Sequence, residues 1–344
     1  MDVRLSPEQV ALKETARKLA QTLCPGNVSD LDDTERAAKL DAAVTSSGWR
    51  QLRLPDDEPG TPLASGVEAA IVAEELARAL ADTSYLGPLL AGDLARRAGL
   101  EDVDATTFAL TSDLAHLARV PTSDAAETVA VDAGGSASAL VLEPSRNGYE
   151  LRTVELRPSV IRTDLTRPLA GVATAPVPVE GAAELSEDDV TAWTALALAM
   201  LSADLVGVMR GAVELARDYA LVREQYGTTI GSFQAVQHLI AEAHVAAEGS
   251  YSLALHAAWA ADVLTPREAL LAARHAKAFS SRAALTVCET AIQVHGGIGN
   301  TWECMAHVYL RRGLHSSDIL GGAGASLAFV LAQHGLKGGD DGLR

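Results

Sequence analysis

The chain has 344 residues, of which 48% are apolar and 21% charged, close to a globular average, so a large core is within reach and wholesale disorder is excluded. Twenty-eight Lys and Arg against 45 Asp and Glu leave a net charge of −17, which excludes coating of nucleic acid or anionic lipid but not a local anion site. Three widely separated cysteines, Cys24, Cys288 and Cys304, point to a reducing compartment, and with no apolar leader at the N-terminus the expectation is a cytoplasmic protein with no membrane insertion.

The first zone, 1–105, reads as helical. Ser6-Pro7-Glu8 has the order of a helix start, and Cys24-Pro25-Gly26 stops that helix. Further helices are expected at Thr34–Ser46, Val67–Leu80 and Tyr85–Ala98. The zone 106–183 changes to short β-prone runs at Thr107–Thr111, Thr128–Asp132, Ala139–Leu142, Glu150–Leu156 and Gly171–Val179. Asn147-Gly148 suggests a hairpin turn through residues that tolerate positive φ, so a small antiparallel sheet or partial barrel is expected. Between 184 and 336 long Ala-rich periodic segments return, at about Ser186–Tyr226, Gly231–Val263 and Pro266–His295, then Trp302–Leu314 and Ala323–His334. Helices of that length hide their apolar faces only against one another, which predicts a bundle. A Gly- and Asp-rich tail at 337–344 is expected to be flexible.

Two connections concentrate chemistry. Arg223-Glu224-Gln225-Tyr226-Gly227, followed by Ile230-Gly231-Ser232-Phe233-Gln234, is in its plain reading a helix–helix loop; its Arg suits a pyrophosphate and its aromatics a flat ring. Gln293 and Gly296-Gly297-Ile298-Gly299 read first as a helix C-cap, and second as backbone that a phosphate can approach. Arg311-Arg312 reads as a solvated basic patch. His238, His244, His295, His307 and His315 lack metal-ligand spacing, so no metal is expected. No Gly-x-Ser-x-Gly, P-loop or Cys-x-x-Cys occurs.

These strings resemble the acyl-CoA dehydrogenase family of flavoproteins. REQYGTTIGSFQAVQHLIAE (223–242) is similar to the family's R-x-x-F/Y-G-x-x-I-x-x-F-Q segment, and QVHGGIGNTWECMAHVYLRR (293–312) to its Q-x-x-G-G-x-G-x-T-x-E segment. GWRQLRLPDD (48–57) and IVAEELARAL (71–80) are similar to N-terminal stretches of the family. The resemblance implies an α+β fold with an N-terminal α-helical domain (1–105), a shortened central β domain (106–183) and a C-terminal four-helix bundle (184–336). It implies FAD between subunits. Arg223, Gln225, Tyr226, Phe233 and Gln234 would reach a neighbour's FAD, and Gln293, Gly296 and Gly297 its adenosine pyrophosphate. The implied reaction is α,β-dehydrogenation of an acyl-CoA thioester, with an electron-transferring flavoprotein as acceptor.

That reaction needs a positioned carboxylate. The two places where the family puts it fall at Leu320-Gly321 and at Ala197, 26 residues before Arg223, and neither is acidic. Asp318 is the nearest acid, with a plain reading as a helix N-cap or surface carboxylate. Ala195 and Leu198 stand where an acyl-CoA-holding acid and arginine are common, and the family's G-x-K-x-x-[IV]-[TS] strand is not visible between Ala118 and Ala130. This resembles the short base-less subunits of heteromeric bacterial acyl-CoA dehydrogenases. It implies a heterodimer or heterotetramer with a longer homologous subunit that supplies the base, in steroid or other lipid side-chain catabolism. A self-sufficient homo-oligomer using Asp318, and a non-catalytic scaffold or binding protein on the same fold, remain open.

Overall fold

The computed structural model describes residues 4–56, 60–103, 106–120, 128–157, 163–173 and 175–336. The expected tail at 337–344 lies outside them, as does 121–127, most of the stretch in which the family strand was sought.

The first helices form where their caps dictate. Ser6 Oγ accepts from Gln9 N (3.2 Å) while Gln9 Oε1 accepts from Ser6 N (3.1 Å), a reciprocal cap that opens α1 (Pro7–Leu23). The Asp33 carboxylate caps α2 (Thr34–Ser46), and Ser65 with Glu68 caps α3 (Gly66–Arg78), followed by α4 (Leu86–Arg97).

The β zone closes on itself. Strands β1 (Thr106–Thr111), β2 (Thr128–Val131), β3 (Ser138–Pro144), β4 (Tyr149–Arg157) and β5 (Ala170–Val172) pair in the ring β3-β1-β2-β5-β4-β3, with β6 (Val177–Pro178) added on β4. One pair, β1 with β3, is parallel (Thr106↔Ser138 to Phe108↔Leu140), so the sheet is not antiparallel throughout. The expected single run Gly171–Val179 is two strands, and Pro176, which has no N–H to give a ladder, stands just before the second. The β3–β4 turn is where Asn147-Gly148 predicted it, for a different reason. Neither residue has positive φ. Gly148 is needed because a Cβ there would lie 2.1 Å from the Leu185 carbonyl oxygen.

Five helices follow: α5 (Glu187–Val222), α6 (Gln234–Val263), α7 (Pro266–His295), α8 (Ala306–Asp318) and α9 (Ala323–Gln333). Helix α5 is the axis of the bundle, buried almost throughout by α3, α6, α7 and α8. Two stretches, Glu187–Val222 and 306–333, are long and apolar enough to cross a membrane. The first is 94% buried over its most apolar window and so is a core helix, and the second is broken between α8 and α9. Trp193 joins the three zones: it is fully buried, donates from Nε1 to Leu90 O (2.8 Å) and meets Phe108 edge-on at 5.4 Å.

A buried ionic joint corrects one expectation. Arg312 is not on a solvated patch. Its Nη2 donates to Asp204 Oδ1 (2.8 Å), and its Nη1 to Ala81 O (2.9 Å) and Thr166 Oγ1 (3.1 Å). Asp204 also pairs with Arg167 and accepts from Ser316 Oγ (2.8 Å). The two guanidiniums hold the Asp204 carboxyl down to about 2 against the burial that would raise it. Only Arg311 stays near the surface, over the Trp302 ring (5.7 Å).

Candidate functional site

Helix α5 stops four residues earlier than its periodicity suggests. Arg223 leaves the helix in extended conformation, and a two-residue hairpin follows, β7 (Glu224–Gln225) against β8 (Thr228–Thr229). Its turn is Tyr226-Gly227, with φ of +54° and +79°. Two successive positive-φ residues make the tight turn whose twist matches a hairpin. Glycine accepts that conformation freely; for tyrosine it costs about 1–2 kcal/mol. Tyr226 is nonetheless 95% exposed, touching only the Phe233 ring edge-on (6.4 Å). Phe233 and Gln234, exposed, open α6, so α6 begins at Gln234 rather than at Gly231. The Arg223 and Gln225 side chains are exposed too, and among the described residues Arg223 has neither ion pair nor side-chain hydrogen bond.

The second segment ends α7. Gly296, at φ +66°, is its C-cap and donates its N–H to the Gln293 and Ile292 carbonyls, so the plain reading of the glycines as a helix stop holds. It is not the whole account. A Cβ on Gly297 would meet nothing within 4 Å, so no packing within this chain excludes a side chain there. His295 ties the two segments together, since its ring stacks on Tyr219 of the last turn of α5 (4.3 Å). Arg223 and Gln293 are thereby at one end of the bundle. A free guanidinium, an outward aromatic and an open Gly-Gly surface at one end fit the pyrophosphate and flat ring of the implied FAD. In this chain Arg223, Gln225, Tyr226, Gly296 and Gly297 are all exposed.

The base positions have the opposite character. Leu320 is 2% exposed at φ +58°, and its N–H donates to Leu114 O (2.7 Å). Gly321 is buried beside it, and Ala195, Ala197 and Leu198 lie in the core of α5. Asp318 is an exposed residue in the last turn of α8, rather than a helix N-cap. Lys277, which the sequence reading passed over, holds this region: its buried Nζ donates to the carbonyls of Ser316 (2.9 Å), Ser317 (2.7 Å) and Ile319 (2.9 Å). It caps the open end of α8 with a cation. The signal was there, for Lys277 stands on the buried stripe Ala273, Lys277, Ser280, Ala284 of α7. Among the described residues no group of three His, Cys, Asp or Glu could hold a metal. His238 and His244 are exposed, while His295, His307 and His315 are buried.

The family model for the acyl-CoA dehydrogenase C-terminal domain matches residues 194–336. Acyl-CoA dehydrogenase FadE34 of Mycobacterium tuberculosis is 32% identical over 355 residues, covering 96% of this chain and 48% of that protein, so the chain spans about half of that relative's length. Acyl-CoA dehydrogenase IpdE2 of the same organism is 30% identical over 268 residues, covering 74% of this chain and 73% of IpdE2. Among solved structures, a variant of the Tcur3481-Tcur3483 steroid ACAD superposes with a TM-score of 0.78 at 24% identity, covering 95% of this chain and 98% of that one. The ChsE4-ChsE5 complex from Mycobacterium tuberculosis superposes with a TM-score of 0.77 at 18% identity, covering 98% and 100%. The fold of helices, barrel and bundle is thus shared with these structures, and on its likeness to IpdE2 the chain belongs to the acyl-CoA dehydrogenase family.

Proposed function

We propose that this chain is the base-less subunit of a hetero-oligomeric acyl-CoA dehydrogenase, and that its hairpin end completes the FAD site of a longer homologous partner. One contrast carries the reading: both base positions are apolar and buried, while Arg223, Tyr226 and Gly297 stand outward with no use inside the chain. FAD is the cofactor of this family. Bound in the partner, it would supply the two-electron acceptor chemistry that α,β-dehydrogenation of an acyl-CoA thioester needs.

The residues of this chain would bind and orient. Arg223, through an unpaired guanidinium, would neutralise pyrophosphate charge, with Gln225 and Gln293 donating beside it. Tyr226 and Phe233 would cover a flat ring and exclude water from one side, and Gln234 would follow at the start of α6. Gly296 and Gly297 would let backbone approach the adenosine pyrophosphate. The α proton would go to a carboxylate of the partner, since Leu320, Gly321 and Ala197 can take none, and an electron-transferring flavoprotein would be the acceptor.

Two observations on relatives support a pair of chains. FadE34 carries about as much sequence again beyond the matched part, room for a second unit of this size. The similar ChsE4-ChsE5 structure is a complex of two named proteins. Steroid or other lipid side-chain catabolism in the cytoplasm is the proposed setting, in keeping with three cysteines that are all free thiols.

The test is purification of this chain alone and with a longer homologue encoded beside it. The lone chain should be colourless and inert toward acyl-CoA, and the complex yellow and active. A lone chain with stoichiometric FAD and turnover would overturn the proposal in favour of a self-sufficient homo-oligomer. A complex with neither flavin nor turnover would favour a scaffold.

A further inference from the structure

An opening of about 680 Å³ lies between the barrel and the bundle, within the usual ~300–1,000 Å³ of ligand pockets. It is remote from the hairpin end. Thr194, on its wall, and Arg223 are near opposite ends of α5, about 40 Å apart at 1.5 Å per residue. Leu117, Ala118, Val120, Leu142 and Leu320 give it apolar walls, and two arginines, Arg119 and Arg274, face the same space.

Arg274 differs from the other arginines inside this protein. Arg53 is matched by Asp93 (3.2 Å) and Asp262 (2.8 Å), Arg210 by Glu248 (2.7 Å), and Arg312 by Asp204 (2.8 Å). Arg274 has no carboxylate among the described residues. Its Nη1 donates to Leu320 O (3.0 Å) and Ser326 Oγ (3.4 Å), its Nε is buried without a partner, and its Nη2 has none either. Burial with no carboxylate beside it pulls the Arg274 pKa down. Arg119, exposed at the mouth, reaches only the Tyr149 hydroxyl (3.3 Å) and ring. In a chain with 17 more acids than bases, two cations without counter-ions on one apolar cavity mark a missing anion.

We propose that this cavity binds an amphipathic organic carboxylate, its hydrocarbon body on the apolar walls and its carboxylate met by Arg274 and Arg119. The proposal rests on the base-less reading only in that the ligand is held without being turned over.

Calorimetric titration of the full chain, alone and in its complex, with sodium decanoate tests it. Decan-1-ol, with the same tail and no charge, and decanoyl-CoA, whose carboxyl is tied up as a thioester, are the controls. One decanoate per chain is expected, at least tenfold tighter than the alcohol and not displaced by the thioester. Arg274→Met should weaken decanoate at least tenfold and leave decan-1-ol unchanged. Arg119→Met, which frees only a tyrosine hydroxyl, should weaken it less and remains informative should the Arg274 variant fail to fold. Absence of decanoate binding, equal affinity for acid and alcohol, indifference to both substitutions, or competition by decanoyl-CoA would each overturn the proposal. So would displacement by FAD, which would make the cavity the chain's own flavin pocket. The flavin content of the complex, read in the same samples, reports separately on the base-less reading.

Discussion

The two ends of α5 have been treated differently. At its C-terminal end the chain spends exposure: a free arginine, a strained tyrosine at 95% exposure and an uncrowded glycine pair contribute nothing to packing within the chain. Toward the other end, where a base would be placed, Ala195, Ala197 and Leu198 are closed into the core and Leu320 is pinned by Leu114. A surface kept at a cost to stability is kept for something outside the chain. Alanine and leucine at the inner end add to the core instead. The difference teaches that one end of the helix is spent on packing within the chain and the other is not, which is the contrast the proposed wall-donating role rests on.

Substitutions can press on that contrast from both sides, and the interior should respond most. Asp204→Ala leaves Arg167 and Arg312 buried without a counter-charge. A loss of about 3–5 kcal/mol is expected, visible in thermal melting of the lone chain. Next comes the outward end. Arg223→Ala should leave that melting temperature unchanged while weakening FAD retention by the complex about 10–100-fold, the range for a lost charge-assisted hydrogen bond of about 1.5–3 kcal/mol. A drop in the stability of the lone chain would mean that Arg223 serves the fold after all.

The pH response follows from the same joint. Asp204 is depressed to about 2 in the folded chain, so its stabilisation is complete above the unfolded carboxyl range near pH 4 and is lost as pH falls from there through about 2. Acid titration of the Asp204→Ala variant should lack that component. Smaller in scale, Tyr226→Asn keeps a residue suited to positive φ and should raise lone-chain stability by up to about 1 kcal/mol while lowering flavin content in the complex. The smallest effect belongs to Asp318→Asn. Turnover of the complex should stay within about twofold, since the side chain is a solvated acid at the end of α8. Loss of turnover there would restore the self-sufficient reading.

Local signals made much of this legible. Ser6 and the run beginning at about Ser186 announced helix starts that the structure confirms, and the Pro-punctuated short runs announced strands. The closing of the barrel was not legible, because the parallel β1–β3 pair joins residues some 30 positions apart with no hairpin signal between them. Arg312 was misread for a similar reason: its counter-ion, Asp204, is 108 residues away. At the site, the strings around Arg223 and Gln293 were readable as segments. That they share one end of the bundle follows from three consecutive helices packed against one another with short connections, and the stack of Tyr219 on His295 joins them there, a contact no spacing reveals. The positive φ of Tyr226 was equally hidden, because tyrosine is a poor turn residue and gives no such sign.

The ring closure of the five barrel strands has a further consequence. An open sheet offers its rim to any other extended chain, whereas here, among the described residues, the one strand of this sheet outside the ring, β6, is a two-residue piece ending in Pro178. The barrel therefore leaves little backbone for a stray extended chain to zip against, and what the surface offers a neighbour is side chains, among them Tyr226 and Phe233 of the hairpin end, which choose their company by shape and charge rather than by backbone.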